Sequence, residues 1–351
     1  MPGKLVWISD FPLRGSSFGN VTLEITRRLP NYKVYILGLD YTGTPIAPFP
    51  DVDVLPLSGT EQLDYYMRKL QPDKVVVYHS FYFLERLAGI KFPDETYGYI
   101  PVEGENLPEN LLTYLTNFKS LMVPSKYSQN ILRKEGMNST VIHHGVDTDY
   151  FVPRVDPLKE FRFGYIGLND IRKQIPRIME AYSKLPKRER GHLQIAAKQD
   201  GHYNLLAISR KLGISPIWIE KKFYGIPLSK QNLLEFYHDL SCYVNVATEA
   251  FGLPNIECAA CGIPTIALDH GSSREILGDA AMYVKVKDLL DTNIGQIGLA
   301  DRDDLYVKMK MMLELPRERD KLIKKGIERA KLYSWEKAVE QIQDVIEGNS
   351  D

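Results

Sequence analysis

The chain has 351 residues, 44% apolar and 25% charged, which is a globular composition long enough for two ordinary domains. Lys and Arg number 44 against 45 Asp and Glu, so the chain has no overall charge that would attract nucleic acid or anionic membranes. No apolar run reaches bilayer-spanning length, and residues 5–9 are too short for a signal-peptide core. We therefore expect a cytoplasmic protein that does not bind nucleic acid.

The first half of the chain alternates short apolar runs with helical ones. The predicted strands are residues 4–9, 33–38, 74–79, 96–102, 119–124 and 139–144. The predicted helices are residues 21–29, 61–70, 83–89, 109–118 and 126–136, the last capped by Ser125. Such alternation predicts a parallel sheet with helices on both faces.

The carboxyl ends of these strands are where a parallel sheet binds ligands. The loop of residues 14–20 follows the first strand, and Gly15 and Gly19 relax its backbone, so it could touch a phosphate or an acceptor. A loop of this kind is also often only a turn. It lacks the G-x-G-x-x-G fingerprint of NAD-dependent oxidoreductases, which argues against that class. His79 ends a strand at the same edge, although a lone histidine is more often structural.

The second half restarts after a linker with two prolines, residues 152–160. Its predicted strands are residues 161–167, 192–198, 217–225, 242–247 and 265–268. Its predicted helices are residues 175–185, 202–212 and 229–240, and the chain reads as helical from Ala300 onward. Ser272 and Glu275 have the spacing of a helix capping box. The order of elements predicts a second doubly wound unit.

Residues 248–262 carry the strongest chemical signal. Glu249 falls where a strand ends, Gly252 where a helix begins, and Glu257 about one turn inside that helix. The first amides of a helix form an anion site, and glycine lets a ligand approach the backbone closely. Carboxylates on either side can accept hydrogen bonds from hydroxyls, so the stretch predicts a receptor for a nucleotide sugar.

A basic pair, Arg172 and Lys173, lies in the loop after the first strand of the second half. Two adjacent cations at the edge of an α/β sheet can neutralise a diphosphate, although such a pair can also be ordinary surface charge. The three cysteines include Cys258-x-x-Cys261, but no second pair follows, so we predict reduced, packed thiols and no metal.

The phrase E-x-F-G-L-x-x-x-E, followed by C-G-I-P, resembles the donor-site signature of retaining GT-B glycosyltransferases, especially family 4 (glycosyl transferases group 1). Residues 164–182 and 271–277 resemble the same family. The resemblance implies an α/β fold with two Rossmann-like, doubly wound parallel-sheet domains facing across a cleft. The implied domains are an acceptor-side domain (1–153), a nucleotide-sugar donor domain (160–333) and a C-terminal helix that packs back on the first domain (334–351).

The resemblance also implies roles for particular residues. Glu257 would hold ribose hydroxyls and Glu249 those of the sugar, while Arg172 and Lys173 would hold the diphosphate. The implied backbone donors to the phosphates and sugar are Phe251, Gly252 and Leu253. Gly19 is the first-loop residue that matches a donor-binding glycine. Glu103 stands near the position of a family histidine, where it would bind or deprotonate the acceptor; a solvated loop acid is the alternative, and His79 is the other acceptor-side candidate.

The implied activity is retaining transfer of a sugar, most simply a hexose, from a UDP-, GDP- or ADP-linked donor to a hydroxyl of a glycan, lipid or small molecule. It needs no cofactor, and no metal if Arg172 and Lys173 replace one. The alternatives are a nucleotide-sugar epimerase, a sugar phosphorylase and a non-catalytic nucleotide-sugar binder. A peripheral membrane contact and the oligomeric state stay open.

Overall fold

The computed structural model describes residues 2–12, 16–39, 41, 52–86, 92–219 and 229–349. Part of the predicted loop 14–20 and most of the predicted strand 217–225 lie outside these ranges. The chain divides into two compact units. Unit 1 comprises residues 1–145, 293–295 and 334–351, and unit 2 comprises residues 146–292 and 296–333.

Unit 1 is built on a seven-stranded parallel sheet with the order β3-β2-β1-β4-β5-β6-β7. Its strands are β1 (Gly3–Asp10), β2 (Tyr32–Leu39), β3 (Val52–Leu57), β4 (Lys74–Tyr78), β5 (Thr96–Tyr99), β6 (Ser120–Val123) and β7 (Thr140–Val141). Its helices are α1 (Ser17–Thr26), α2 (Thr60–Leu70), α3 (Phe81–Arg86), α4 (Glu109–Leu115), α5 (Lys126–Lys134) and α13 (Trp335–Glu347). The predicted strand–helix alternation and the Ser125 cap of α5 are confirmed.

The sequence pattern missed β3, which contains Pro56. Proline has no backbone N–H for a sheet ladder, so a proline argues against a strand in a sheet interior. β3 occupies the edge of the sheet, where it pairs with β2 alone. The edge position explains why the proline is tolerated.

The C-terminal helix α13 belongs to unit 1, as predicted. Trp335 at its start is buried, and the Tyr97 hydroxyl donates a hydrogen bond to the carbonyl of Ile346 near its end, at 3.1 Å. A Cβ on Gly145 would lie 2.3 Å from the backbone nitrogen of Trp335, so only glycine allows this close approach. The helix is therefore anchored at both ends.

Unit 2 contains a six-stranded parallel sheet with the order β10-β9-β8-β11-β12-β13 and most of a two-stranded hairpin, whose turn residues 293–295 belong to unit 1. The strands are β8 (Arg162–Ile166), β9 (His192–Ala196), β10 (Ile217–Trp218), β11 (Cys242–Asn245), β12 (Thr265–Leu268), β13 (Ala281–Val284), β14 (Val286–Thr292) and β15 (Gly295–Ala300). The helices are α6 (Ile175–Lys184), α7 (Leu205–Leu212), α8 (Lys230–His238), α9 (Leu253–Ala260), α10 (Ser273–Leu277), α11 (Arg302–Glu314) and α12 (Pro316–Ala330).

Helix α9 is held against the core of unit 2 by a close contact with α12. A Cβ on Gly326 of α12 would lie 3.3 Å from Cβ of Ala259, so the small residues let the two helices approach. Ile256 and Cys258 on α9 are fully buried. The helix that carries Glu257 is therefore fixed by packing.

The hairpin β14–β15 was not predicted from the sequence. Gly295 has φ +99°, a left-handed conformation that favours glycine at a turn. β14 exposes most of its side chains, so the apolar periodicity that marked the other strands is weak there, and β15 is a short strand with two glycines. Among the described residues, no helix combines the length and apolar character of a bilayer-spanning segment.

Candidate functional site

The loops that carry the predicted donor residues follow two neighbouring strands of unit 2. β8 and β11 pair in parallel, and the order of the sheet reverses between them. The carboxyl ends of strands at such a reversal form the usual ligand crevice of an α/β sheet. Residues 167–174 follow β8 and residues 246–252 follow β11, so the predicted basic pair and the predicted acid lie at this position.

Glu249 is the centre of this site. Its Oε2 lies 2.9 Å from Nη1 of Arg172, and its Oε1 lies 2.5 Å from Nζ of Lys173. The side chains of the acid, the arginine and the lysine are only 8%, 13% and 14% exposed. The structure thus brings together three of the predicted catalytic residues in one nearly buried cluster.

The ionisation of Glu249 is set by two opposing effects. Burial by itself would raise the pKa of this carboxyl group, but the charges of Lys173 and Arg172 and their hydrogen bonds lower it well below its usual range. Glu249 is therefore an ionised hydrogen-bond acceptor at neutral pH. It cannot act as a proton donor there.

The loop that carries the basic pair is tied to the rest of the site by Gln174. This residue adopts a left-handed conformation, with φ 51°, at the start of α6 and is 3% exposed. Its Nε2 donates to the carbonyls of Val246 and Gly298 at 2.7 and 2.8 Å, and its Oε1 accepts from the amide of Ala300 at 2.9 Å. Arg172 also donates to the carbonyl of Thr248 at 2.9 Å. The cations are thus positioned before any ligand is bound.

The main chain of Glu249 is held by the turn before α10. The amide of Ser272 donates to the carbonyl of Glu249 at 2.9 Å, and a Cβ on Gly271, whose φ is +70°, would lie 2.8 Å from the same oxygen. The predicted capping box of Ser272 and Glu275 is wrong, since Ser272 has helical backbone angles and makes no side-chain cap hydrogen bond. The turn therefore holds the main chain of Glu249, and the Ser272 side chain does not cap a helix.

A pair of buried asparagines completes the surroundings of Glu249. The amide of Ala247 donates to Oδ1 of Asn245 at 3.2 Å, which leaves Nδ2 of Asn245 as the donor. That nitrogen lies 3.3 Å from Oε1 of Glu249 and 3.0 Å from Oδ1 of Asn255. Sequence reasoning missed both asparagines; the one available signal was a polar residue inside the apolar run 242–247.

Helix α9 begins as predicted, close to Glu249. Gly252 is the N-cap residue in a left-handed conformation, with φ 82°, and Pro254 lies in the first turn. Leu253 opens the helix and is buried. The Phe251 ring is also buried and packs edge-on against Tyr333, with ring centroids 5.7 Å apart. Any contact of Phe251 or Leu253 with a ligand would therefore be made by the backbone.

Glu257, the second predicted acid, lies one turn into α9 and is partly buried. The hydroxyl of Tyr237, on α8, donates to Oε2 of Glu257 at 2.5 Å. Tyr237 was not identified from the sequence, since its partner lies twenty residues further along the chain on another helix. The neighbouring Cys258 and Cys261 are buried thiols, and burial raises the pKa of Cys261 to about 12.

Gly19 and Glu103 belong to unit 1, whereas Glu249 belongs to unit 2. A Cβ on Gly19 would lie 2.6 Å from the carbonyl oxygen of Phe11, so packing alone requires a glycine there. Glu103 is partly buried, and its carbonyl accepts a hydrogen bond from the Tyr127 hydroxyl at 3.1 Å. Their ligand roles stay predictions.

His79, the other acceptor-side candidate, lies beside Asp10, where the order of the unit 1 sheet reverses between β1 and β4. Its Nδ1 accepts from the amide of Ser80 at 2.9 Å, so Nε2, at 3.2 Å from Oδ1 of Asp10, is placed to donate. Phe18 stacks on the imidazole with ring centroids 4.5 Å apart and an interplanar angle of 2°. His79 is thus held on several sides.

Comparisons with known proteins identify the family of the chain and its fold. The family model described as glycosyl transferases group 1 matches residues 147–329, which include Arg172, Lys173, Glu249 and Glu257. The chain is 24% identical over 231 residues to an MMP alpha-(1->4)-mannosyltransferase of Mycolicibacterium hassiacum, covering 65% of this chain and 53% of that protein. The chain spans about half the length of the curated relatives it matches.

Solved structures resemble the chain over nearly its whole length. The sucrose-phosphate synthase of Thermosynechococcus elongatus matches with a TM-score of 0.78 at 16% identity, covering 99% of both chains. Anabaena Alr3699/HepE, solved in complex with UDP and glucose, matches with a TM-score of 0.76 at 13% identity, covering 99% of this chain and 100% of that one. The predicted GT-B fold is confirmed. With a family match over more than half of its residues, the chain belongs to the glycosyl transferases group 1 family.

Proposed function

We propose that this chain is a retaining glycosyltransferase that moves a hexose from a nucleotide-diphosphate sugar to an acceptor hydroxyl. Residues 160–333 would form the donor domain, residues 1–153 the acceptor-side domain, and residues 334–351 the helix that packs on the latter. The GT-B fold and the family membership support this assignment.

The observation that carries the proposal is the cluster of Arg172, Lys173 and Glu249. Two cations share one ionised carboxylate in a nearly buried position, so the cluster keeps a net positive charge. It lies beside Gly252 at the start of α9, and a helix start favours anions through its unpaired amides and its dipole. A diphosphate is the ligand that suits this field.

The chemistry follows from the same charges. As the bond from the anomeric carbon to the phosphate oxygen breaks, negative charge grows on the departing diphosphate, and Arg172 and Lys173 stabilise that charge. Glu249, kept ionised, accepts hydrogen bonds from the sugar hydroxyls. The acceptor oxygen forms its bond on the face that the leaving group vacates, so configuration is retained, and the departing phosphate takes the acceptor proton.

The first experiment is a thermal-shift screen of UDP-, GDP- and ADP-sugars with the full chain. Mannose donors come first because the Mycolicibacterium relative is named as a mannosyltransferase. Glu257→Ala should abolish most of the stabilisation by the best donor, while Glu189→Ala, at an exposed acid of the same unit, should leave it unchanged. An unchanged shift in Glu257→Ala would exclude its ribose role.

The best donor is then offered to glycan, lipid and small-molecule acceptors, and the anomeric configuration of the product is determined by NMR. Transfer with retained configuration supports the proposal, and an inverted product contradicts it. Donor turnover without an acceptor would instead identify an epimerase. Donor binding with no turnover under any condition would indicate a non-catalytic binder.

A further inference from the structure

The contact between Tyr237 and Glu257 joins a fully buried hydroxyl to a partly buried acid. Tyr237 lies in the last turn of α8, and its hydroxyl donates to Oε2 of Glu257 at 2.5 Å. The two residues come from different helices of unit 2. Neither the sequence motif nor the family match singles out the tyrosine.

The position of the Tyr237 hydroxyl is fixed by its surroundings. The ring packs against those of Phe151 and Phe236, each with its centroid 5.9 Å away. The carbonyl of Tyr237 accepts from the amide of Leu240 at 2.9 Å, which closes the end of α8. Because both the ring and the main chain of Tyr237 are held, its hydroxyl has a fixed position. The hydrogen bond from this hydroxyl therefore restricts the orientation of the Glu257 carboxylate.

The direction of the hydrogen bond is also fixed. Burial, followed by the negative charge of Glu257, raises the pKa of Tyr237 well above its ordinary value, so the phenol stays protonated and donates. An ionised carboxylate accepts about four hydrogen bonds over its two oxygens. A contact with Tyr237 on one oxygen is therefore compatible with ribose hydroxyls on the other.

We propose that Tyr237 is a positioning residue that makes the donor site select ribonucleotides over 2′-deoxyribonucleotides. The inference rests on the proposed role of Glu257 in holding the ribose. Two vicinal hydroxyls are recognised only by a carboxylate held at a defined angle. Without the Tyr237 hydroxyl, the Glu257 side chain must be ordered each time a nucleotide binds. The preference of the protein for a ribonucleotide over its 2′-deoxy form then declines.

The test measures the affinity of UDP and 2′-deoxy-UDP by titration calorimetry, with the GDP and ADP pairs in parallel. The wild-type protein should prefer the ribonucleotide of its own base by about tenfold or more, as expected for one hydrogen bond to a charged group. Tyr237→Phe, which removes only the hydroxyl, should reduce this preference to roughly threefold or less by the same reasoning. Tyr182→Phe is the matched control, since its hydroxyl donates to the carbonyl of Gly191 at 2.8 Å away from the acid.

The outcomes separate the two proposals. If the wild-type protein binds each ribonucleotide and its 2′-deoxy form with equal affinity, Glu257 does not have the proposed ribose role. A wild-type preference that persists in Tyr237→Phe would overturn the role of Tyr237 alone. Tyr237→Met is a second variant, which removes the hydroxyl and fills the space with a different side chain. It should show the same reduced preference for ribonucleotides as Tyr237→Phe. In a Glu257→Ala background, Tyr237→Phe should change the preference no further; an additional loss would contradict a role exerted through Glu257.

Discussion

The two parallel sheets reverse their strand order in the same way, yet the residues at the two reversals differ in chemistry. In unit 2 the reversal lies between β8 and β11, and Glu249 is bound there by the permanent cations Arg172 and Lys173. In unit 1 it lies between β1 and β4, and Asp10 is paired there with His79.

The surroundings of the two acids reinforce this difference. Around Glu249 lie backbone carbonyls, asparagine amides and the start of α9, all of them polar. Beside Asp10, the imidazole of His79 is stacked on the ring of Phe18 and packs against the tilted ring of Phe83, with centroids 4.5 and 4.7 Å away. Glu249 thus lies among cations and polar groups, whereas the pair of Asp10 and His79 is packed against aromatic rings.

The comparison shows that topology determines where a site lies but not what it binds. Both reversals place loops at the carboxyl ends of adjacent strands, and the side chains of those loops decide the chemistry. The differences between the two units can be tested with single substitutions, each of which removes a charge, an ionisable group or a glycine from one unit.

The largest effect should come from Lys173→Ala. If the proposed mechanism holds, loss of this cation removes stabilisation of the departing diphosphate, so kcat should fall about 100- to 1,000-fold, while the affinity for the donor falls much less. Steady-state kinetics with the donor selected by thermal shift, together with calorimetric donor affinities, check both numbers. Lys184→Ala is the matched control, because Lys184 pairs with Asp303 at 2.7 Å on the surface of unit 2 and should retain full activity. Normal turnover in Lys173→Ala would remove this residue from the mechanism.

The contrast between the units also explains how far the sequence could predict the candidate site. Residues 248–262 are contiguous in the sequence. Local patterns were therefore enough to place Glu249 at the end of a strand and Gly252 at the start of a helix. Gln174 could not be recognised, because its partner Gly298 lies 124 residues further along the chain. Asn245 offered only the signal of a polar residue in an apolar run, and nothing local showed that it pairs with Asn255 on α9. Local rules also misled where a contact overrode them, as when Ser272 used its amide to bind Glu249 and did not cap α10.

The strands of the fold show the same difference between features that local patterns reveal and features that depend on distant contacts. Strands with dense apolar runs, such as β1 and β11, were predicted because burial on both faces leaves a plain signal. β3 was missed because its edge position tolerates a proline, and the hairpin β14–β15 because β14 is exposed and lacks apolar periodicity. β13 was also missed; like β3 it is an edge strand, and it pairs with β12 alone. The stability of these elements depends on neighbours that local sequence patterns do not identify.

The next effect concerns ionisation in unit 1. His144 is 4% exposed, and burial, followed by the charge of His143, lowers its pKa to about 3. Between pH 6.5 and that value the unfolded chain binds a proton that the folded chain does not, so the free energy of unfolding decreases as the pH falls. From neutral pH down to pH 5 the loss should be about 2 kcal/mol. His144→Asn, which does not titrate, should lack this contribution.

Urea denaturation at several pH values checks this prediction. Trp7 and Trp335 lie in unit 1 and Trp218 in unit 2, so fluorescence in a Trp218→Phe background reports on unit 1. The Trp335 ring lies 6.2 Å from that of His144 and reports on its surroundings directly. Parallel pH profiles for the two proteins would show that His144 does not remain neutral in the folded state.

The smallest effect tests why a glycine is needed at position 252 of the proposed donor site. It separates the need for a positive φ from the need for space beside α9. Gly252 and Gly213 both have positive φ, 82° and 60°, so alanine at either position should cost about 1 kcal/mol of stability through backbone strain. A Cβ on Gly252 would also lie 2.8 Å from Nδ2 of Asn255, whereas a Cβ on Gly213 meets nothing within 4 Å. Gly252→Ala should therefore lose more thermal stability than Gly213→Ala, and it alone should lose donor affinity, by about tenfold, because the displaced start of α9 would no longer present its amides to the diphosphate. Equal donor affinities in the two variants would mean that the diphosphate does not bind at this helix start, and the polar character of the unit 2 reversal would then need another ligand to explain it.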